Sequence, residues 1–61
     1  MKVVFYDKEH ETFERVEDVR QLYVDYRRIE NRLCKVWIVQ KDDDSWKTFK
    51  CNKYELERVG K

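Results

Sequence analysis

Two segments of the chain share one pattern, and this repetition constrains the fold more than any other feature of the sequence. Each segment starts with a run of β-branched and aromatic residues, passes through a charged stretch and ends on Thr-Phe; the segments are residues 2–13 and 35–49. Such runs on either side of a polar loop are typical of β-hairpins. A mixed apolar and charged stretch follows each one, residues 19–24 and 54–59. The sequence therefore predicts an internal duplication of a hairpin plus one further strand.

The size and composition of the chain agree with one small β domain. Its 61 residues contain no proline, and the only glycine is Gly60, so no linker divides the chain. Turns then depend on residues such as Asp, Asn and Ser, which tolerate turn geometry. We expect a single domain over residues 1–61, mainly β, built as a small antiparallel meander or barrel of two hairpins each followed by a further strand.

Residues 18–31 allow a second interpretation. Wound as a helix, this stretch places its apolar residues on one face, with Asp18 as its cap and Asn31 at its end. Against the helix, Leu22, Val24 and Tyr26 alternate with polar neighbours and are strand formers. We expect a strand here; a helix would turn the fold into an α+β arrangement, ββαββ.

Enzymatic and cofactor chemistry find little support in the sequence. The only serine is Ser45, in a predicted turn, and glycine-rich phosphate loops require more glycine than the chain has. His10, the only histidine, lies in the other predicted turn without a nucleophile motif beside it. The acidic run at residues 42–44 lacks the glycine of a calcium loop. We expect a non-enzymatic protein without cofactor or metal.

The two cysteines, Cys34 and Cys51, are too few for a disulfide framework and lack the spacing of a zinc site. The first residues form an apolar run too short for a signal peptide, and no stretch approaches a membrane span. We expect free thiols, no membrane association and a cytoplasmic location.

Hydrophobicity on both faces of the predicted strands is the main indication of function. Alternation puts Val3 and Phe5 on one face of the first strand and Val4 and Tyr6 on the other. In the strand after the contested segment, Val36 and Ile38 face one way and Trp37 and Val39 the other. A lone sheet has only one core face, so the second apolar face needs a cover. We expect a protein-interaction module that self-associates or binds a larger protein as an inhibitor or adaptor. The predicted contact residues are Trp37, Val39, Val4 and Tyr6, and Val36 and Ile38 are then expected on the internal face.

A basic cluster supports an alternative function. Arg27, Arg28, Arg32 and Lys35 lie near Tyr23 and Tyr26, and cations beside aromatic rings are typical of single-stranded nucleic-acid binding. The net charge of +1 and the interleaved acidic residues argue against it, since phosphate binding usually needs a clear basic excess. The basic residues would have to gather on one face.

Two further stretches carry a resemblance. With its start, residues 2–8 (Lys-Val-Val-Phe-Tyr-Asp-Lys), and its ending, residues 53–59 (Lys-Tyr-Glu-Leu-Glu-Arg-Val), the chain resembles the short uncharacterised β-rich proteins of Gram-positive bacteria and their phages. This resemblance transfers no catalytic or binding residue. It implies a protein that acts by binding a larger host or phage protein.

Overall fold

Six strands account for most of the molecule in the computed structural model, which describes residues 1–60. They are β1 (Lys2–Asp7), β2 (Thr12–Val16), β3 (Val19–Ile29), β4 (Arg32–Lys41), β5 (Trp46–Lys50) and β6 (Tyr54–Gly60). The contested stretch forms strand β3, so the predicted strand is confirmed and the helix over residues 18–31 is not formed. Among residues 1–60, no helix is long and apolar enough to cross a membrane.

The strands form two antiparallel three-stranded sheets. The first sheet has the order β2-β1-β6 and the second the order β3-β4-β5, with β1 and β4 in the centres. Each central strand pairs with its own hairpin partner on one side, β2 or β5, and with a third strand on the other, β6 or β3. The order β5-β4-β3 of the second sheet therefore repeats the order β2-β1-β6 of the first, with each hairpin taking its third strand from the other half of the chain. The predicted pattern, a hairpin plus one strand occurring twice, is confirmed.

The duplication extends to the core positions. Val3 pairs with Val16 in the first sheet as Trp37 pairs with Phe49 in the second. The structural counterpart of Val3 is thus Trp37. Matching residues 2–13 with residues 35–49 from their first residues had instead made Val36, one residue earlier, the counterpart of Val3. The third strands agree with this register, because Leu56 lies opposite Phe5 and Leu22 opposite Val39.

The two sheets pack face to face through aromatic contacts. Phe5 stacks on Phe49 with ring centroids 4.3 Å apart, and its ring centroid lies 6.1 Å from that of Trp37. Tyr54 meets Phe49 edge to face at 5.0 Å. The buried cluster also contains valines from both sheets: Val3, Val16, Val19 and Val39.

Backbone hydrogen bonds join the two sheets at their ends without closing a barrel. The N–H of Val19, at the start of β3, donates to the carbonyl of Met1 at 2.8 Å, and the Met1 ammonium group donates to the carbonyl of Val19 at 2.9 Å. The sheets stay separate in their pairing, so the molecule is an open two-layer structure with Cα extents of 34 × 27 × 14 Å. The closed barrel that the sequence allowed is therefore not formed; β3, β4 and β5 make a meander, whereas β6 returns to pair with β1 in the first sheet.

Turns are made without glycine. Positive φ angles occur at Glu11, Asp18, Glu30, Asn31 and Asp44. The β3–β4 hairpin closes with Ile29 opposite Arg32, so Glu30 and Asn31, with φ of 51° and 64°, form its two-residue turn. Positive φ at both central positions is the geometry of the hairpin turn that matches strand twist.

Candidate interaction surface

The longest hairpin extends beyond the body of the molecule. β3 and β4 remain paired as far as Ile29 and Arg32, whereas β5 pairs with β4 only up to Val36. Residues 26–35 therefore form a two-stranded arm with no third strand beside them. The arm has the same inner face as the core strands, because directly opposite residues of an antiparallel pair point to the same side.

The inner face of this arm is exposed and mixed in character: Tyr26 and Leu33 are apolar, whereas Lys35 and Arg28, directly opposite them, are basic. Val24 lies opposite Trp37, which packs against the core, and the following rows bring Tyr26 and Leu33 to the same face. Val24 is 38% exposed, Tyr26 57% and Leu33 69%. We call these three residues the overhang. The overhang continues the core face of the second sheet past the point where the first sheet covers it.

A groove marks the border between the overhang and the first sheet. Its volume is about 320 Å³, and its lining includes Val24, Lys35 and Trp37 from the second sheet with Tyr54 and Leu56 from the first. Because residues of both sheets line the same groove, their side chains face each other across the two layers. The groove gives access from the overhang to the edge of the core.

Trp37 and Val39, predicted as partner contacts, lie on the inner face of β4. Val39 is completely buried in the core cluster, and Trp37 is half-buried against it. The prediction is therefore corrected for Val39, which the domain's own packing uses. Trp37 keeps an edge on the groove and borders the overhang.

Val36 and Ile38, assigned by the sequence to the internal face, lie on the outer face of β4 and are nevertheless 0% and 2% exposed. Ile38 is flanked by Tyr23 of β3 and Thr48 of β5, in directly opposite positions. On a central strand, the directly opposite side chains of both neighbouring strands lie against a β-branched residue and reduce its exposure. The outer face of β4 therefore needs no second protein to cover its aliphatic residues.

Val4 and Tyr6, the other predicted contact residues, lie on the outer face of the first sheet. Val4 is buried between Arg15 and Arg58 in the flanking strands, and half-buried Tyr6 contacts Phe13 with ring centroids 5.2 Å apart. The structure thus separates Val4 and Tyr6 from Trp37 and Val39 by the thickness of the core. The four residues do not form one surface.

Exposed aromatic residues at equivalent places were missed in the sequence. Phe13 and Trp46 are each more than half exposed and lie at the starts of the two hairpin partner strands, β2 and β5. Trp46 meets Tyr23 edge to face at 6.4 Å on the outer face of the second sheet. The pairing register between strands decides whether these rings face the core or the solvent. Alternation along one strand therefore could not identify them as exposed.

The predicted basic cluster lies on the arm but does not gather on one face: Arg28 and Lys35 lie on the inner face, and Arg27 and Arg32 lie on the outer face. Arg27 forms an ion pair with Asp25 at 2.5 Å, whereas Arg32 and Lys35 line a cleft of about 350 Å³ beside Leu33. Hydrogen bonds from the Tyr26 backbone and the Arg27 side chain lower the pKa of the Asp25 carboxyl. The structure adds Lys50, the last residue of β5, to the same cleft.

Asp7 organises the β1–β2 turn. It is 5% exposed and accepts hydrogen bonds from the N–H groups of Glu9 and His10, at 3.0 and 3.2 Å, and from His10 Nδ1 at 2.8 Å. Burial raises the pKa of Asp7, but these hydrogen bonds lower it by more, so the pKa lies below its ordinary value. Glu9 in turn pairs with Lys53 at 3.2 Å, which raises the pKa of that ammonium group.

The same three residues, Asp7, Glu9 and His10, bring potential metal-ligating atoms within 4.8 Å of one another. The hydrogen bonds of Asp7 and the ion pair of Glu9 account for this proximity. The turn is therefore sufficient to explain the cluster.

Cys34 and Cys51 are both free and half-buried. Cys34 lies in the arm, where its thiol faces the carbonyl of Arg32 at 3.7 Å. The backbone N–H of Cys51 donates to the carbonyl of Lys35, so Cys51 lies opposite Lys35 and not opposite Cys34. Cys34 and Lys35 point to opposite faces of β4, and the thiols therefore lie on different sides of the sheet.

No protein-family model, curated protein or solved structure matches this chain.

Proposed function

We propose that the chain is a non-enzymatic protein-interaction module that binds a larger protein, as an inhibitor or adaptor, through the overhang of its β3–β4 arm. The single observation behind this proposal is that the inner face of the second sheet continues past its cover with Val24, Tyr26 and Leu33 exposed. Removal of apolar surface from water is favourable by about 25 cal/mol per Å² buried. A partner that covers the overhang would complete the two-layer packing.

The arm is also suited to binding by its shape. A two-stranded ribbon presents its inner face without steric hindrance from a third strand, and its short turn keeps the two strands in register. Half-buried Trp37 lies at the inner end of the overhang, where large aromatics commonly anchor a partner.

A larger protein is a better occupant of the overhang than a second copy of the chain. Arg28 lies opposite Leu33 and Lys35 lies opposite Tyr26, so both cations share the inner face with the overhang. Two overhangs packed against each other would bring these like charges together, which opposes association.

The proposal is tested by affinity purification with matched double variants in cells of the source organism. Tyr26→Ser with Leu33→Ser removes two exposed apolar side chains from the overhang, and Phe13→Ser with Trp46→Ser removes two from the outer faces. We expect the first pair to lose the co-purified protein, identified by mass spectrometry, and the second pair to keep it. Equal recovery with both pairs would contradict the proposal.

A second candidate function, binding of single-stranded nucleic acid, is favoured by one specific observation. Arg32 and Lys35 of the predicted patch lie with Lys50 around one cleft, so basic residues gather at one end of the molecule although the net charge is only +1. If this function is correct, affinity for an oligonucleotide falls with salt, the log–log slope rising by about 0.7 for each phosphate neutralised on a single strand. The Arg32→Ala, Lys35→Ala double variant, which removes two cations from this cleft, would weaken binding and reduce that slope.

A further inference from the structure

Three clefts join into one continuous depression around the β5–β6 turn. The cleft beside the arm, about 350 Å³, shares Lys50 and Asn52 with a second one of about 430 Å³. The second shares Lys8 with the groove below the overhang, and the first shares Lys35 with that groove. The depression therefore runs from the open end of β4 around the turn and back to the overhang.

Basic side chains outnumber acidic ones in this depression, which we call the basic trough. Five basic residues line it: Lys8, Arg32, Lys35, Lys50 and Lys53. The acidic residues along it are Glu9, Glu30 and Glu55, and Glu9 is already paired with Lys53. Because the whole chain has a net charge of only +1, the surface outside the trough is net negative.

The edge of β4 is open where the trough meets the arm. The last backbone bond on the β5 side runs from the N–H of Cys51 to the carbonyl of Lys35, at 3.0 Å. Within the described residues no strand pairs with Arg32–Cys34 on that side, and Leu33 is the most exposed apolar residue. An unpaired edge accepts an extended segment through main-chain hydrogen bonds.

We infer that the partner presents an acidic, extended segment with alternating apolar side chains, which lies along the open edge of β4 with its carboxylates in the basic trough and its apolar side chains on the overhang. This inference rests on the proposed function and specifies the chemistry of the partner. Charge complementarity carries it, because the excess of cations beside an apolar face selects for acidic sequences and against basic ones.

A protein segment fits this site better than a nucleic acid. The apolar side chains that the trough presents at the arm are the aliphatic Ile29 and Leu33, which offer no stacking surface for bases. Its aromatic residues, Trp37 and Tyr54, pack against the core through Phe5 and Phe49. Stacking of successive bases therefore lacks a row of free rings in the trough.

Fluorescence anisotropy with three labelled probes tests the inference on the full chain. The probes are an alternating Glu-Val peptide of about ten residues, its Lys-Val counterpart and an oligothymidylate of similar length. We expect the Glu-Val peptide to bind at least about tenfold more tightly than the Lys-Val peptide. Tighter binding of the oligothymidylate, equal binding of both peptides or no binding of the Glu-Val peptide would overturn the inference.

Charge reversal locates the binding. Lys35→Glu with Lys50→Glu changes two residues of the trough, and Arg15→Glu with Lys47→Glu makes the same change in net charge at exposed positions outside it. We expect the trough pair to weaken the Glu-Val peptide by at least about tenfold and the control pair by no more than about threefold. Equal effects of the two pairs would overturn the inference.

Failure of this inference is distinguishable from failure of the proposed function. If the Lys-Val peptide binds more tightly and its binding needs Tyr26 and Leu33, the overhang is a protein-binding surface and only the acidic chemistry is wrong. If the affinity purification with the overhang variants also fails, the proposed function itself is wrong.

Discussion

The rings of Phe5 and Phe49 stack 4.3 Å apart, centroid to centroid, with their planes 20° from parallel, and both side chains are buried. Phe5 lies on the central strand of one sheet and Phe49 on the edge strand of the other, so this pair joins the two layers. Offset stacking of this kind adds to the burial of both rings. The stability of the whole molecule therefore depends on the pair.

Phe5→Ala is expected to lower the free energy of unfolding by about 3–5 kcal/mol, because it removes a buried ring and leaves a cavity. A chain of this length has roughly 3–9 kcal/mol in total, so the variant should be largely unfolded near room temperature. Urea denaturation followed by circular dichroism measures the change. Leu33→Ala, at the most exposed apolar position, is the control and should stay within about 0.5 kcal/mol of the parent protein.

The turn at Glu30 and Asn31 offers a stabilising substitution. Both residues hold a positive φ, which costs a residue with a Cβ about 1 kcal/mol and suits Asn-Gly best. Glu30→Asn with Asn31→Gly should raise the melting temperature by about 4–8 °C, provided the arm unfolds with the rest of the domain. An unchanged melting temperature with increased protection of arm amides in hydrogen exchange would show that the arm opens independently.

Asp7 gives the molecule a defined acid sensitivity. Its pKa is lower in the folded protein than in the unfolded chain, where it is about 3.9. The carboxylate therefore contributes stability that is complete above the unfolded pKa and is lost as the pH falls through the folded pKa. The difference in urea midpoint between the parent protein and Asp7→Asn should be constant from neutral pH to about pH 5 and shrink below pH 4. A difference that grows on acidification would contradict this role.

The placement of the cysteines predicts two free thiols. Because Cys34 and Cys51 lie on different sides of the second sheet, a bridge between them requires a shift of β4 relative to the β5–β6 turn. Mass measurement of protein isolated without reductant should show both thiols as reactive toward an alkylating agent after unfolding. A stoichiometric Cys34–Cys51 bridge would contradict the register of this part of the structure.

The sequence predicted the order of elements because that order is encoded locally. Runs of β-branched and aromatic residues around polar turns identified both hairpins, and the alternation of Leu22, Val24 and Tyr26 identified β3 against a competing helical pattern. The long-range bonds from β3 to β4 decide this competition, since they run along the whole length of β3.

The inner face of β4 was beyond prediction for a physical reason. Val36 and Ile38 on one face are as apolar as Trp37 and Val39 on the other, so alternation fixes two faces without saying which is internal. The side chains that cover Val36 and Ile38 come from β3 and β5, and the cover of Val39 comes from the first sheet. The overhang depends on the unequal lengths of β4 and its neighbours, which a single strand's pattern does not contain.

Site-specific photo-crosslinking at Leu33 in cells of the source organism is the most direct test of the overhang as the protein-binding surface. A photoreactive residue at Leu33 should give a covalent adduct with one protein, and the adduct should disappear when Tyr26→Ser is added. The same photoreactive residue at Trp46, exposed on the outer face, serves as the control and should give no such adduct. An adduct of equal yield at both positions, a nucleic-acid adduct at Leu33 or no adduct at Leu33 would contradict the account.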